Sequence, residues 1–191
     1  MKEISLHILD IAENSVNAGA TKIEIFVAEN IKKDELVIHI KDNGCGMDAE
    51  KVKRVTDPFV TSRTTRKVGL GIPFFKAAAE ACDGFLEITS RLGEGTKICV
   101  KFSHSHIDRM PLGDIKGTLL NLIIGNPGIR WIFRYEYNEG IFEFDSQPIK
   151  EILVDLPFSD PQVINFLRRS ISDGIDQARV ENSSLSLQER K

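Results

Sequence analysis

Three side chains with hydrogen-bonding oxygen atoms stand at regular spacing near the start of the chain, in the stretch HILDIAENSVNAG. Asp10, Asn14 and Asn17 occupy positions i, i+4 and i+7, so a helix would place them on one face, apart from its apolar stripe. Magnesium prefers hard oxygen ligands and keeps phosphates and waters around it, so one amide oxygen such as that of Asn14 suffices. The pattern predicts either a magnesium site or an ordinary solvated helix face.

A second candidate site is the carboxylate that closes the predicted strand ELVIHIKD, directly before NGCGM. Asp42 is in phase with the apolar residues of that strand, so its carboxylate should face the core and need partners there. It could accept a hydrogen bond from an exocyclic amine such as that of adenine. Gly44 and Gly46 would let the backbone approach a flat ring, and Met47 would pack against it. The alternative is a turn in which Asp42 bonds its own backbone.

A third candidate is the segment TSRTTRKVGLG at residues 61–71. It combines hydroxyl groups, positive charges and glycines directly before a predicted helix. Free amide groups and the dipole at a helix start favour anions, and glycines permit close approach. The combination suits phosphate binding, although any polar surface loop can look the same.

The elements that must position these residues alternate between helical and strand patterns. Apolar spacing predicts a helix over 6–16 with Gly19 as its left-handed cap, and a hairpin of strands over 21–27 and 35–42. Further on we expect a short helix after Asp48, a helix from Pro73 to a cap at Gly84, and strands in FLEITS and TKICVKF. Residues 1–105 therefore read as an α+β unit, with helices on one face of a mainly antiparallel sheet.

A second, smaller α+β unit is predicted over 106–180. Asp114 should cap a helix that ends near Ile124, and IRWIFRYEY should form a hairpin with GIFEFD. Two more helices are expected, near 148–155 and near 161–177. Residues 181–191 read as a polar tail.

Composition narrows the possible functions. The 191 residues include 25 basic and 28 acidic side chains, and the net charge of -3 gives no general attraction to nucleic acid or anionic lipid. The three cysteines have no metal-binding spacing and are expected to be reduced thiols. Without a long apolar run or a signal-like start, we expect a protein of the cytoplasm.

Taken in order, these motifs resemble the GHKL family of ATP-binding proteins, to which gyrase, Hsp90, histidine kinases and MutL belong. ENSVNAGATKIEI resembles the family's N box in its MutL form, and DNGCGM its adenine-binding G1 box. DPFVTSRTTRKVGLGIPFFKAAAEACDG resembles the lid and G2 box of histidine kinases, and GEGTKICVKF the final box and strand. The resemblance covers roughly residues 5–102 and implies the Bergerat fold, a two-layer α/β sandwich that holds ATP between helices and lid.

The resemblance also implies roles for individual residues. Asn14 would be the magnesium ligand and Asp42 the adenine contact, with Thr96 helping Asp42 through a water molecule. Gly44 and Gly46 would form the floor of the pocket. The other nucleotide contacts that it implies are Met47, Thr61, Arg63, Lys67, Gly69, Leu70 and Gly71.

Asp10 is the candidate general base for water. It stands four residues before Asn14, where the ATPases that the chain resembles carry a glutamate. The shorter side chain could work through one extra water molecule, so ATP binding is the firmer expectation and hydrolysis is expected to be slow. Glu13 points about 100° away on the helix and is a poor substitute.

Three functional hypotheses follow. The chain is an ATP- and magnesium-dependent regulatory or assembly module, or a serine or histidine kinase that acts in trans as anti-sigma kinases do, or an interaction protein with a degenerate pocket. With six residues before His7, we expect no phosphoacceptor hairpin there, and a kinase would then be expected to act on a separate chain. We expect a protein partner to bind through 106–180 or through the lid.

Other motifs in the sequence are weaker evidence for a function. The sequence has neither GxxxxGK[ST] nor GxGxxG in a strand-turn-helix unit, so other nucleotide folds are not supported. His104, His106 and Asp108 alternate and could line one strand face as metal ligands, but an ordinary strand exit explains them as well. Trp131 and its aromatic neighbours are better explained as core or partner surface than as a base-stacking platform.

Overall fold

The computed structural model describes residues 2–56, 71–153 and 156–188, with side chains described as far as residue 180. The helices in these ranges are α1 (Ile4–Asn17), α2 (Ala49–Val55), α3 (Gly71–Glu80), α4 (Ile115–Gly125), α5 (Ser146–Ile152) and α6 (Pro161–Gln188). The strands are β1 (Lys22–Asn30), β2 (Glu35–Asp42), β3 (Phe85–Arg91), β4 (Gly95–Ser103), β5 (Arg130–Tyr137) and β6 (Gly140–Asp145).

These strands form one sheet in the order β3-β4-β2-β1-β5-β6. β1 and β5 run parallel, whereas every other neighbouring pair is antiparallel. In this register Asp42 lies between Ile23 of β1 and Thr96 of β4. The pairing therefore brings the end of β2 beside the start of β4.

One face of the sheet carries the core because apolar residues alternate along the strands. In β1 the buried positions Ile23, Ile25 and Val27 are separated by half-buried ones, and β5 repeats this alternation with Trp131 and its neighbours. Such a period of two is what a half-buried strand requires. Trp131 is only 2% exposed, so it belongs to the core, as the sequence favoured.

The helices form a single layer over this face. α3 packs on β3 and β4, α1 contacts α3 and α4, and α4 and α6 continue the layer toward β5 and β6. The order of helices follows the order of strands, which gives the two-layer α/β sandwich that the sequence predicts. Within the described residues, no helix has the length and apolar character that a membrane crossing needs.

Most predicted element boundaries are close to the observed ones. Gly19 has the left-handed φ of 75° expected beyond the end of α1, and Asp48 caps α2 by accepting a hydrogen bond from the Lys51 amide at 2.7 Å. Both predicted hairpins, β1–β2 and β5–β6, are confirmed.

Gly84 takes part in the cap of α3, as predicted, because its amide donates to the Ala79 carbonyl oxygen at 2.9 Å. Helix α3 ends at Glu80, and the left-handed residue of this cap is Asp83, with a φ of 54°. Gly84 is also needed for a second reason, because a Cβ there would overlap the carbonyl oxygen of Lys101 on β4. It is a site of close backbone approach.

Residues 106–180 continue the sheet of residues 1–105. β5 pairs with β1 along eight residue pairs, so the boundary that the sequence places near residue 106 falls within one hydrogen-bonded sheet. Helix α6 is also longer than expected, since it extends as far as Gln188 and includes most of the predicted polar tail.

Candidate functional site

Helix α1 presents two kinds of polar residue toward different surroundings. Its buried residues include Ile4, Ile8 and Ile11, which anchor the helix on the sheet. Asn14 is exposed at the edge of this stripe, and its side-chain amide makes no hydrogen bond within the described part of the chain. The next residue, Ser15, is buried, so an exposed and a buried polar side chain lie side by side on this helix.

Asp42 is the most firmly held carboxylate of the site. Its side chain is 8% exposed and accepts three hydrogen bonds. The Ser15 hydroxyl donates to Oδ2 at 2.7 Å, and the Gly44 and Thr96 amides donate to Oδ1 at 2.9 and 3.2 Å. These donors satisfy the buried carboxylate and fix its orientation. The bond to Gly44 is the local turn considered above, and it coexists with the two long-range bonds.

The loop after Asp42 is tied to the end of α1. The Asn43 side-chain oxygen accepts hydrogen bonds from the Thr21 and Lys22 amides, both at 2.9 Å. The Cys45 amide donates to the Ala18 carbonyl oxygen, also at 2.9 Å. These hydrogen bonds hold the loop, and with it the Asp42 carboxylate, beside the end of α1.

Two glycines let this loop pass close to other backbone segments. A Cβ at Gly44 would lie 2.9 Å from the Ala18 carbonyl oxygen, which is too close for any larger residue without a shift. Gly46 has a left-handed φ of 65°, and a Cβ there would overlap the Arg91 carbonyl oxygen. The sequence assigned both glycines to close approach of a ligand, but in the structure their nearest neighbours are protein backbone.

Met47 and Thr96 are joined through a residue that the sequence did not single out. The Met47 amide donates to Ser90 Oγ at 2.8 Å, and Ser90 Oγ lies 2.9 Å from Thr96 Oγ1. Ser90 also donates to the Gly95 carbonyl oxygen at 2.9 Å. The Ser90 hydroxyl group therefore links the turn before β4 to the loop after β2 through hydrogen bonds.

Asp10 lies against the start of α3. A Cβ at Gly71 would overlap the Asp10 carboxylate, so only glycine allows this approach. Asp10 Oδ2 is buried and has no hydrogen-bond partner among the described residues. Burial raises the pKa of the Asp10 carboxyl above its usual range, because desolvation penalises the charged form. A carboxylate in this state binds a proton more readily than an exposed one.

His7 lies one turn before Asp10 on α1. It also contributes to the contact between α1 and α3, on the side that faces the core. Its ring stacks on Phe75 of α3 with the centroids 4.5 Å apart. Burial and the N-terminal charge lower the pKa of His7, which outweighs a backbone hydrogen bond with Gly71. The imidazole is therefore neutral at physiological pH and acts as a packing group between α1 and α3.

The structure brings together most of the predicted site residues that it describes. Asp42, Gly44 and Thr96 are directly bonded, Met47 joins them through Ser90, and Asp10 meets Gly71. Asn17 is exposed at the end of α1 and takes no part in these contacts among the described residues. The predicted nucleotide contacts Thr61, Arg63, Lys67, Gly69 and Leu70 lie outside the described residues.

The alternative metal site is not formed. His104 lies 3.1 Å from Glu29, and His106 is 3.9 Å from Asp83 and 4.0 Å from Asp108. In the parts of the chain that the structure describes, no group of three or more His, Cys, Asp or Glu side chains is arranged to hold a metal ion. Any cation at the candidate site would need oxygen ligands from elsewhere, such as those of a bound phosphate.

Ser15 and Ser90 were missed by sequence reasoning for the same reason. Serine is common on helices and strands. Its role becomes visible only from hydrogen bonds to residues that are distant in the sequence. Ser15 does carry one weak signal, because it follows Asn14 and falls on the buried stripe of α1. The sequence around Ser90 gives no such signal, because its hydrogen-bond partners lie in two other segments.

Comparison with known proteins found a matching family model and several relatives. The family model described as histidine kinase-, DNA gyrase B- and HSP90-like ATPase matches residues 2–106. A sensor-type protein of Shewanella frigidimarina is 34% identical over 103 residues, which is 53% of this chain and 16% of that protein. The sensor protein kinase WalK of Staphylococcus haemolyticus is 35% identical over 95 residues, or 47% of this chain and 16% of the kinase. The chain thus spans a small part of these relatives.

The fold has solved counterparts. The MutL ATPase domain of Aquifex aeolicus, solved in complex with ADP, superimposes with a TM-score of 0.52 at 15% identity. The match covers 91% of this chain and 70% of that one. At this identity the likeness shows the shared fold, which includes strands and helices beyond residue 106.

Proposed function

Because the chain belongs to the family of histidine kinase-, DNA gyrase B- and HSP90-like ATPases, we propose that it binds ATP with magnesium and acts as a regulatory or assembly module that hydrolyses ATP slowly. The observation that carries this proposal is the Asp42 carboxylate, which is buried, oriented by three donors and placed beside α1. Held in this way, it offers an acceptor to the exocyclic amine of adenine.

The phosphates would lie toward the exposed side of α1 and the start of α3. Asn14 has an exposed amide oxygen and no partner in the described chain, so it fits a magnesium ion that keeps phosphate oxygens and waters as its other ligands. Magnesium would neutralise phosphate charge when bound. Gly71 begins α3, a helix of 10 residues, whose first amides favour an anion.

Asp10 is the residue best placed to accept the proton of the attacking water. Its raised pKa and its unpartnered buried oxygen both favour proton uptake. Water would attack the terminal phosphorus, Asp10 would accept its proton, and ADP and inorganic phosphate would leave. An aspartate reaches less far than a glutamate, which is why we propose slow turnover.

Calorimetric titration tests the binding step. Wild-type protein is expected to bind ATP with magnesium, and Asp42→Asn to lose most of that affinity, because an amide replaces one acceptor oxygen by a donor. Asp173→Asn is the matched control, since Asp173 is exposed on α6. Unchanged binding by Asp42→Asn would contradict the adenine assignment, and no binding by wild type would favour an interaction protein with a degenerate pocket.

A second candidate function is a protein kinase that acts in trans on a serine or histidine. The identity of 35% to the sensor protein kinase WalK favours it. ATP labelled on the terminal phosphate and added to a cell extract distinguishes the two. Free labelled phosphate supports the ATPase, whereas a labelled protein band supports the kinase. For either activity we propose that the protein lies in the cytoplasm and that a protein partner binds it through residues 106–180 or through the lid.

A further inference from the structure

We propose that Ser90 is a positioning residue, which fixes the direction of the Thr96 hydroxyl and thereby makes the site prefer a purine that donates a hydrogen bond from its 6-position. The inference rests on the proposed function, namely that the base of a nucleotide lies at Asp42. It assigns the choice of base in part to a residue of β3 that need not touch the nucleotide.

Ser90 Oγ has three polar neighbours. The Met47 amide can only donate and lies 2.8 Å away. The Gly95 carbonyl oxygen can only accept and lies 2.9 Å away. Thr96 Oγ1, also at 2.9 Å, could do either.

The number of hydrogens and lone pairs on a hydroxyl group decides whether Thr96 donates to Ser90 or accepts from it. A serine hydroxyl has one hydrogen and two lone pairs. The hydrogen is used on Gly95, since two oxygens 2.9 Å apart without a hydrogen between them would repel. Ser90 must then accept from both Met47 and Thr96. All three positions of its oxygen are occupied, and the Thr96 hydroxyl hydrogen is directed at Ser90.

This direction determines what Thr96 can offer a ligand. With its hydrogen committed to Ser90, Thr96 Oγ1 presents only lone pairs, and it neighbours an Asp42 carboxylate that accepts a hydrogen bond from the Thr96 amide at 3.2 Å. This end of the site is therefore made of acceptors. It suits a 6-amino purine and opposes a 6-keto purine, whose oxygen would face them.

The Asp42 carboxylate alone would already discriminate between these bases, so Ser90 is expected to add to that selectivity. Without the Ser90 oxygen, the Thr96 hydroxyl can rotate and donate toward a keto oxygen, either directly or through water. The preference for adenine should fall, whereas a purely structural role would weaken both bases equally.

The test measures Kd for ADP and for IDP with magnesium, on the full chain, by calorimetry. Ser90→Ala is expected to lower the IDP-to-ADP Kd ratio by about tenfold, which is the effect expected of one hydrogen bond. Ser90→Thr, which keeps a hydroxyl group, should restore the ratio. Thr89→Ala, the neighbouring exposed change on β3, should leave it as in wild type.

Thr96→Val provides a second, independent measurement, also if Ser90→Ala fails to fold. It should lower the ratio by a similar factor, and Ser90→Ala in that background should change the ratio no further, because Ser90 acts through Thr96. A wild-type ratio retained by Ser90→Ala or by Thr96→Val overturns this inference alone. If wild-type protein binds neither ADP nor IDP, the proposed function fails, and this inference fails with it.

Discussion

At the scale of single residues, the Ser15 hydroxyl donates a hydrogen bond to the buried Asp42 carboxylate at 2.7 Å. Ser15→Ala removes the donor to Asp42 Oδ2 and leaves that oxygen buried without it. We expect the Kd for ATP to rise about tenfold, since hydrogen bonds to charged groups are among the stronger ones. Calorimetry on Ser15→Ala measures this, with exposed Asn17→Ala on the same helix as the control. Equal affinity in the two variants would argue against the role of Ser15.

The buried carboxyl group of Asp10 is expected to affect the stability of the protein as well as ATP turnover. Because burial raises the pKa of its carboxyl in the folded state, the folded protein holds a proton that the unfolded chain releases between the two pKa values. Stability therefore falls as pH rises through this window, and the ionised group is a cost at neutral pH. Asp10→Asn removes that cost.

We expect Asp10→Asn to abolish ATP turnover, to spare ATP binding and to raise the Tm at neutral pH. The gain in Tm should shrink in acid, below the ordinary pKa of an aspartate, because both states of the wild type are then protonated. Thermal melts across pH, together with phosphate release, measure the three effects. Turnover at the wild-type rate would reject Asp10 as the base.

At the scale of elements, two glycines allow a matched comparison. Gly46 and Gly93 both have left-handed φ angles, of 65° and 76°, but a Cβ at Gly46 would overlap the Arg91 carbonyl oxygen while one at Gly93 would have nothing within 4 Å. Each alanine carries the backbone cost of about 1 kcal/mol. Only Gly46→Ala must also displace the loop after Asp42.

Gly93→Ala is therefore expected to lower the free energy of unfolding slightly and leave the Kd for ATP unchanged. Gly46→Ala should lower stability further and weaken ATP binding, because the loop carries Gly44 and Met47 into their contacts. Urea unfolding and titration of both variants measure the difference. Similar affinities in the two variants would show that the loop tolerates displacement.

The same elements show what sequence can and cannot predict here. Strands β1 and β2 were readable because alternation and a polar turn are local signals. Asp42 was recognisable as a site residue because its phase placed a carboxylate on the buried face. Its partner Ser15 could not be found, since that bond joins residues 27 positions apart on different elements. The close approach of Gly84 to the Lys101 backbone could not be found for a related reason, because Lys101 lies on β4, distant in the sequence.

At the scale of the whole molecule, the parallel pairing of β1 with β5 is the least predictable feature. No local pattern specifies which strand a later strand will join, and β5 enters beside β1 after more than eighty residues. The pairing places residues 106–180 in the same sheet as the candidate site. A partner bound to that segment would therefore contact the body that carries Asp42, which suits the proposed coupling between nucleotide and partner.

A buried polar cluster strengthens this connection at the far end of β1. Glu29 accepts hydrogen bonds from Tyr135 at 2.6 Å and from Arg179 at 3.1 Å, and lies 3.1 Å from His104. Burial alone would raise the pKa of the Glu29 carboxyl, but these hydrogen bonds and the Arg179 charge outweigh it and lower the pKa. The cluster joins β1, β5, α6 and the segment after β4.

Glu29→Gln tests whether this cluster holds the two parts of the chain as one cooperative unit. Because the folded pKa is depressed, Glu29 contributes stability that is present above the ordinary pKa of a glutamate and is lost as pH falls through the folded value. At neutral pH we expect Glu29→Gln to lower the free energy of unfolding by about 2 kcal/mol, the weight of lost bonds to a charged group. Exposed Glu139→Gln should have little effect. Urea unfolding should show a single transition in each protein, and the difference between wild type and Glu29→Gln should disappear in acid; two separate transitions would instead support a domain boundary near residue 106.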